Sequence, residues 1–292
     1  MISITRNLCN VCKESSKRFI ATSPSLHAFW DRDEKSGYRD NRKYPPFKER
    51  MRDGLKILKS EIALWKEEMK ERFEFDPILI FRAGEVDVVW RFGNEESLAK
   101  WINTDDRDNN EGYSKSSFTL TKEGKALFSG VTDMRVPKDG KAKRAGYCNI
   151  KTIRAKRSFQ RDSYLNWTSY NMLVMRIRGD GRTYLLNLHT KGYHDLAWND
   201  MYHFPLFTRG GPYWQLVRIP FSKFFYAAKG RIQDRQESIP LDRIASFGIT
   251  AAERYGGEFS LEIDYIGVEF DPNHTEEFAY EMYKTDKYIV RC

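Results

Sequence analysis

Nothing in this 292-residue chain is apolar for long enough to cross a bilayer: its apolar runs, such as residues 78–81, fall far short of the roughly 20 residues a spanning helix needs. Cysteine is scarce. Four in the whole chain are too few and too scattered for a disulfide framework, and Cys9-x-x-Cys12 has no second pair at zinc-ligand spacing, so all four are expected to be reduced. The motifs of common chemistries are missing too. There is no G-x-S-x-G elbow, G-x-x-x-x-G-K-[ST] loop, G-x-G-x-x-G fingerprint or H-E-x-x-H helix. No unit repeats with a period of roughly 20 to 50 residues, which rules out a solenoid.

What the chain does have is positive charge. Lysine and arginine number 49 against 41 acidic residues, a net charge of +8 and a pI near 9.1, which suits nucleic acid, anionic lipid or an acidic protein surface as partner. The first 25 residues carry Arg6, Lys13, Lys17 and Arg18 against Glu14 alone, with Ile4, Leu8 and Val11 at helical spacing. A basic, amphipathic, hydroxyl-rich segment without an apolar core is the pattern of a mitochondrial presequence, and residues 18–23 (RFIATS) have its arginine-led processing signature. Residues 26–50, with Asp31-Arg32-Asp33-Glu34-Lys35 and Pro45-Pro46, are expected to be a flexible tether.

Periodicity then predicts a helix over 51–75. Met51, Leu55, Leu58, Ile62, Trp65 and Met69 are spaced 4, 3, 4, 3, 4 among lysines, arginines and glutamates, and Asp76-Pro77 ends the run. So narrow a seam needs a cover, either the protein's own sandwich or a groove in a partner. Residues 77–271 read as a β domain, with strands expected at 86–92, 116–121, 146–153, 171–178, 183–189, 214–219, 247–250 and 259–270. Met175 and Ile177 face a core and Arg176 and Arg178 the other way. Gly179-Asp180-Gly181 suits a tight hairpin with 184–188 as the returning, paired strand. In 259–266 the alternation puts Glu262 and Asp264 in water. The class expected is mainly β: a two-sheet jelly-roll sandwich preceded by one amphipathic helix, with a C-terminal tail at 272–292.

Candidate chemistry is thin. His189, His194, Asp195 and His203 match no recurrent metal-site spacing, so no catalytic, cofactor-binding or metal residue is assigned and no cofactor is expected. The basic stretch 135–161, with Tyr147 and Phe159 interleaved, resembles a phosphate-binding surface, but such a run is ordinarily solvated and no nucleic-acid partner is expected. Partner-binding candidates are Leu58, Ile62, Trp65 and Met69 on the helix and the aromatics Trp198, Tyr202, Tyr213 and Trp214 outside the strand alternation.

Five stretches, in order, carry a resemblance: Ala126–Gly130 (ALFSG), Met175–Tyr184 (MRIRGDGRTY), Trp214–Phe224 (WQLVRIPFSKF), Leu241–Ile249 (LDRIASFGI) and Gly257–Ile266 (GEFSLEIDYI). Together they resemble the mitochondrial complex I intermediate-associated protein family from about residue 90 to residue 270. Two positions depart from many relatives: Glu111-Gly112-Tyr113-Ser114 replaces a double glycine before serine, and Ala145-Gly146-Tyr147 replaces Gly-Gly-Phe. The resemblance implies a galactose-binding-like jelly roll and a non-catalytic assembly factor for NADH:ubiquinone oxidoreductase. It would act in the mitochondrial matrix, in peripheral contact with the anionic inner membrane, beside an ECSIT-like adaptor and an acyl-CoA-dehydrogenase-like factor. Two alternatives stay open: a carbohydrate-binding or hydrolytic sandwich, and an RNA-binding factor using 135–161.

Overall fold

The computed structural model describes residues 47–74, 83–108, 110–138, 142, 144–190, 200–228 and 230–280. The expected presequence, nearly all of the tether, the Asp76-Pro77 stop, His194, Asp195, Trp198 and residues 281–292 of the tail lie outside the described residues. Helix α1 (Phe47–Phe73) takes in residues 47–50 as well as the seam. Glu49 in its first turn and Lys70 and Arg72 in its last suit the helix dipole.

From Val86 the chain is β. In order come β1 (Val86–Arg91), a one-turn helix α2 (Glu95–Leu98), β2 (Trp101–Asp105), β3 (Lys115–Leu120), β4 (Ala126–Thr132), β5 (Cys148–Thr152), β6 (Lys156–Arg157), β7 (Arg161–Asp162) and β8 (Met172–Gly179). Then follow β9 (Thr183–Thr190), β10 (Asp200–Phe207), β11 (Gln215–Pro220), β12 (Phe225–Ala228), β13 (Arg231–Ile232), β14 (Ile244–Ala251) and β15 (Gly257–Glu269). One sheet has the order β11-β8-β15-β4-β3, with β1 also paired to β15; the other runs β13-β12-β10-β9-β14-β5-β2. Strands β6 and β7 form a small antiparallel pair around a 3-10 turn at Ser158–Gln160.

The two sheets face each other as the expected jelly-roll sandwich behind one helix. Leu173, Met175 and Ile177 of β8, Tyr184, Leu186 and Leu188 of β9, Phe247 and Ile249 of β14, and Leu261, Ile263 and Ile266 of β15 are sealed in one core. Each such side chain contributes about 1.5–3 kcal/mol by leaving water. Rings bridge the layers: Trp90 of β1 stacks on Phe247 of β14 with centroids 5.7 Å apart and meets Trp101 of β2 edge-on at 5.6 Å.

Three expectations are corrected. Gly179-Asp180-Gly181 is no hairpin. Strand β8 pairs with β11 and β15, whereas β9 pairs with β10 and β14 in the other sheet, so neither has an edge left for the other. The turn is a corner between layers, stitched by Gly181 N donating to Thr208 Oγ1 (3.1 Å), Thr208 Oγ1 donating to the Arg182 carbonyl (2.7 Å) and Ser260 N donating to Asp180 Oδ2 (2.8 Å). Second, Asp264 is not in water. It is 3% exposed and paired with Lys125 and Arg176, while Glu262, half-buried, meets Arg178 at 2.6 Å. Third, β2, β4, β6, β7, β10, β12 and β13 lie outside the eight strands expected. Pro205 argues against a strand in sequence, yet β10 runs through it: pairing with β12 covers only Asp200–His203, while pairing with β9 continues through Pro205 opposite Leu185.

One buried carboxylate fastens the loops at one end of the sandwich. Asp106, fully buried just after β2, accepts from Ser114 N (2.8 Å), Ser114 Oγ (2.9 Å) and Gly146 N (2.7 Å). Asp106 thus ties the loop before β3 to the loop before β5. Gly146 has φ +95° and a side chain there would strike Met134, so only glycine fits. Replacing Asp106→Ala leaves three donors unpaired away from water and is expected to cost about 3 kcal/mol in denaturant unfolding. A loss below about 1 kcal/mol would mean that water or another group satisfies them.

Candidate interaction surfaces

Helix α1 is held by its acidic edge. The amides of the 3-10 turn at Ser158–Gln160 are donors without a helical partner, and two glutamates of α1 receive them. Glu68 Oε1 accepts from Ser158 N at 2.6 Å, Glu68 Oε2 from Ser158 Oγ at 3.0 Å, and Glu61 Oε2 from Phe159 N at 2.7 Å, while Arg161 pairs with Glu68. The Ser158 amide above all, with its hydroxyl and Arg161, holds the Glu68 carboxyl below its ordinary pKa against the opposing pull of burial. Phe159 takes φ 57°, the left-handed region, to present its amide.

At about 100° per residue, Glu61 and Glu68 share a helix face and the apolar seam lies roughly 90° round from it. The seam therefore stays open: Ile62 is 40% exposed, Trp65 44%, Met51 47% and Leu55 61%, with Leu58 and Met69 half-buried. The reading in which the seam docks on the protein's own sandwich is overturned for the described residues. Carboxylates outcompete it because turn amides at Ser158 and Phe159 need acceptors and a lone apolar stripe does not.

On the outer face of the six-stranded sheet, Trp214 lies between two guanidinium groups, 5.0 Å from Arg176 and 5.1 Å from Arg178. Those cations are already held by Asp264 and Glu262. Tyr213 beside it is 69% exposed and Leu216 54%. A shallow open hollow of about 370 Å³ adjoins, lined by Arg178, Asp180, Pro212, Ser260 and Glu262. Of the aromatic candidates, Tyr213 and Trp214 thus both lie outside the core. Tyr202 is buried in the core with its hydroxyl on the Ser238 carbonyl (3.3 Å), so it offers no surface, and Trp198 lies outside the described residues. The four helix candidates form a separate surface.

A third feature escaped the sequence. On the outer face of the seven-stranded sheet a row of neutral polar side chains crosses five strands. Asn149 lies 3.3 Å from Thr104 Oγ1 and 2.9 Å from Thr250 Oγ1, Asn187 Nδ2 donates to Thr250 Oγ1 (2.7 Å), and His203 Nδ1 is 2.6 Å from Asn187 Oδ1. The Asn187 amide nitrogen is committed to Thr250, and its oxygen faces His203 Nδ1. Burial pushes the His203 pKa down to about 4. His189, with a shielded and unpartnered Nδ1, is pushed to about 3 by burial, then by Arg154, Lys151 and His203. Among the described residues no group of three or more His, Cys, Asp or Glu is placed to hold a metal. Burial raises the Cys148 thiol to about 12, which keeps it protonated and unreactive.

Two cations of the basic run 135–161 are engaged within the chain. Arg135 is paired with Asp133 and lies over the Tyr113 ring at 5.3 Å, and Arg161 is bound to Glu68 of α1.

A family model described as Complex I intermediate-associated protein 30 matches residues 90–263. The chain is 53% identical over 281 residues to "Complex I intermediate-associated protein 30, mitochondrial" of Drosophila melanogaster, covering 96% of this chain and 95% of that one. It is 43% identical over 195 residues to the Mus musculus protein of the same description, covering 66% and 59%. Among solved structures it is similar to a family 11 carbohydrate-binding module of a Clostridium thermocellum cellulase, at 14% identity and TM-score 0.45, covering 67% of this chain and all of that one.

The buried imidazoles give the sandwich a pH dependence. In the unfolded chain His203 and His189 titrate near 6.5, above their folded values, so the unfolded state takes up protons first as pH falls. Stability is complete above about pH 7 and drains away through pH 6 and 5, by up to about 1.4 kcal/mol per unit for each histidine. A lower unfolding midpoint at about pH 5 than at about pH 7, with a smaller drop for His203→Gln, is the expected calorimetric result. An identical drop in the variant would remove His203 from the cause.

Proposed function

The chain belongs to the Complex I intermediate-associated protein 30 family, and on that premise we propose that it is a non-catalytic assembly factor that binds and stabilises intermediates of mitochondrial respiratory complex I during membrane-arm assembly. The observation that carries the reading is α1, fixed to the sandwich through Glu61 and Glu68 so that Leu55, Ile62 and Trp65 face outward. An amphipathic helix anchored by its polar edge is a recognition element ready to pack against another surface. Tyr213 and Leu216 on the outer sheet face supply a second contact zone, suited to an adaptor of the ECSIT type or an acyl-CoA-dehydrogenase-like factor.

The site of action is the mitochondrial matrix, entered by way of the basic presequence of residues 1–25. The net charge of +8 favours peripheral contact with the anionic inner membrane. No helix among the described residues is long and apolar enough to cross that membrane. Of the aromatics a sugar platform would draw on, Tyr202 is buried and Trp214 lies against Arg176 and Arg178.

The test is native-gel complexome profiling of mitochondria carrying a tagged chain, with and without the endogenous gene. Comigration with a partial complex I, and stalling of that species on gene loss, is the expected outcome. A chain that migrates only as free protein, with complex I intact in its absence, would overturn the reading.

A further inference from the structure

The open face of α1 has a charge pattern that specifies its partner. In heptad terms Met51, Leu58 and Trp65 are the d positions and Leu55, Ile62 and Met69 the a positions. The e row, which follows each d, is Arg52, Lys59 and Lys66, all exposed. The g row, which precedes each a, is Gly54, Glu61 and Glu68, and this row is spent on the sandwich: Gly54 and Glu61 are buried, and Glu61 and Glu68 hold the amides of Phe159 and Ser158. A helix laid on the seam meets free-standing charge along one flank only, and that charge is basic.

This inference rests on the reading of α1 as the partner-binding element. We propose that the seam receives one amphipathic helix of a different protein, with its own apolar a/d stripe and aspartate or glutamate along the flank that faces Arg52, Lys59 and Lys66. A second copy of this chain does not fit. Antiparallel self-pairing sets the two e rows of lysine and arginine against each other, and parallel self-pairing sets each e row against a g row already bonded to the 3-10 turn at Ser158–Gln160. A bilayer fits less well than a helix. The six seam residues span only about 80° of the helix circumference, and an interfacial helix is flanked by cations on both sides, whereas here one flank is a pair of glutamates docked on protein.

Opposite charges along the flank give directional preference and set which partner is accepted. Three exposed pairs, switched from attraction to repulsion, are expected to change affinity by about tenfold or more at low salt.

The experiment uses two labelled peptides of about three heptads with the same leucine a/d stripe, one carrying glutamate and the other lysine at e and g, titrated by fluorescence anisotropy with the full-length chain. The glutamate peptide is expected to bind about tenfold or more tightly than the lysine peptide, less so as salt rises. The doubly substituted chain Lys59→Glu/Lys66→Glu, whose changes lie on an exposed face and leave the core alone, is expected to reverse that preference. Ile62→Ser/Trp65→Ser is expected to lose both peptides with the unfolding midpoint of the sandwich unchanged. Equal binding of the two peptides, or an unaltered preference in the charge-reversed chain, sinks the proposal. So does a seam-dependent dimer in sedimentation, and so does flotation of the chain on phosphatidylcholine–cardiolipin vesicles that Ile62→Ser/Trp65→Ser abolishes while neither peptide binds. Comigration of the charge-reversed chain with complex I intermediates also counts against it while leaving the assembly reading intact. Peptide preference without any comigration of the wild-type chain removes the assembly reading alone.

Discussion

The bulge at Asp264 is the constraint on which the six-stranded sheet depends. Strand β15 buries Phe259, Leu261 and Ile263 at odd positions and Ile266 and Val268 at even ones. A strand of unbroken period two cannot do both, since a one-residue slip sends every later side chain to the other face. The pairing with β8 passes from Ile263↔Ile177 to Tyr265↔Arg176 and leaves Asp264 over, which resets the phase. The same point is where β4 stops pairing with β15 and β1 begins, so the two short strands share one edge of a long one. Asp264 is held there by Lys125 and Arg176. Burial pulls its pKa up, but the hydrogen bonds and charges of those two cations outweigh it and leave the carboxylate below its ordinary range. Once past the bulge, β15 sets Ile266 beside Trp90, whose ring then stacks on Phe247 of the opposite sheet.

Carboxylates do the same kind of work elsewhere. Asp106 gathers the amides of Ser114 and Gly146, Asp180 fixes the corner between layers through Ser260, and Glu61 and Glu68 fasten α1 through Ser158 and Phe159. In each case an anion accepts backbone donors that strand or helix ladders leave over, which is where a charged acceptor stabilises most. One consequence reaches the surface. Acidic residues spent in this way do not offset the lysines and arginines outside, so Arg52, Lys59 and Lys66 present a basic flank next to a helix edge that is itself acidic.

The sandwich was legible where the pattern was local. Alternation in 171–178 and 183–189 gave β8 and β9 nearly to the residue, and the 4-3-4-3-4 seam gave α1. What local pattern could not convey was pairing. The Gly179-Asp180-Gly181 turn has the chemistry of a hairpin, and only the competition of β11, β15, β10 and β14 for its flanking strands makes it a corner. Asp264 reads as solvated because period two was extended through a bulge that no local residue announces. The helix dock was equally hidden: Glu61 and Glu68 look like ordinary solvated glutamates, and their acceptor roles depend on a turn about ninety residues away in sequence. The Thr104–Asn149–Thr250–Asn187–His203 row joins strands in an order that follows sheet neighbours and not the chain.

The manner of docking decides what α1 is able to recognise. Had the apolar seam settled on the sandwich, Ile62 and Trp65 would have gained about 1.5–3 kcal/mol each from burial and been unavailable to any partner. By anchoring instead through Glu61 and Glu68, the chain gives up that hydrophobic stabilisation and keeps the helix oriented by charge-assisted hydrogen bonds whose geometry fixes one rotation about the helix axis. The left-handed Phe159 is part of the same arrangement, a strained backbone that persists because it delivers an amide to Glu61. A preset rotation lowers the ordering a partner must impose on binding, since α1 does not have to be turned or folded at that moment. It also makes the face one-sided, because a partner meets Arg52, Lys59 and Lys66 on one flank and the sandwich on the other. A helix held by its apolar stripe would be mere structure; held by its acidic edge, it presents apolar contact and charge in fixed register, which is the condition for selecting one partner helix over another.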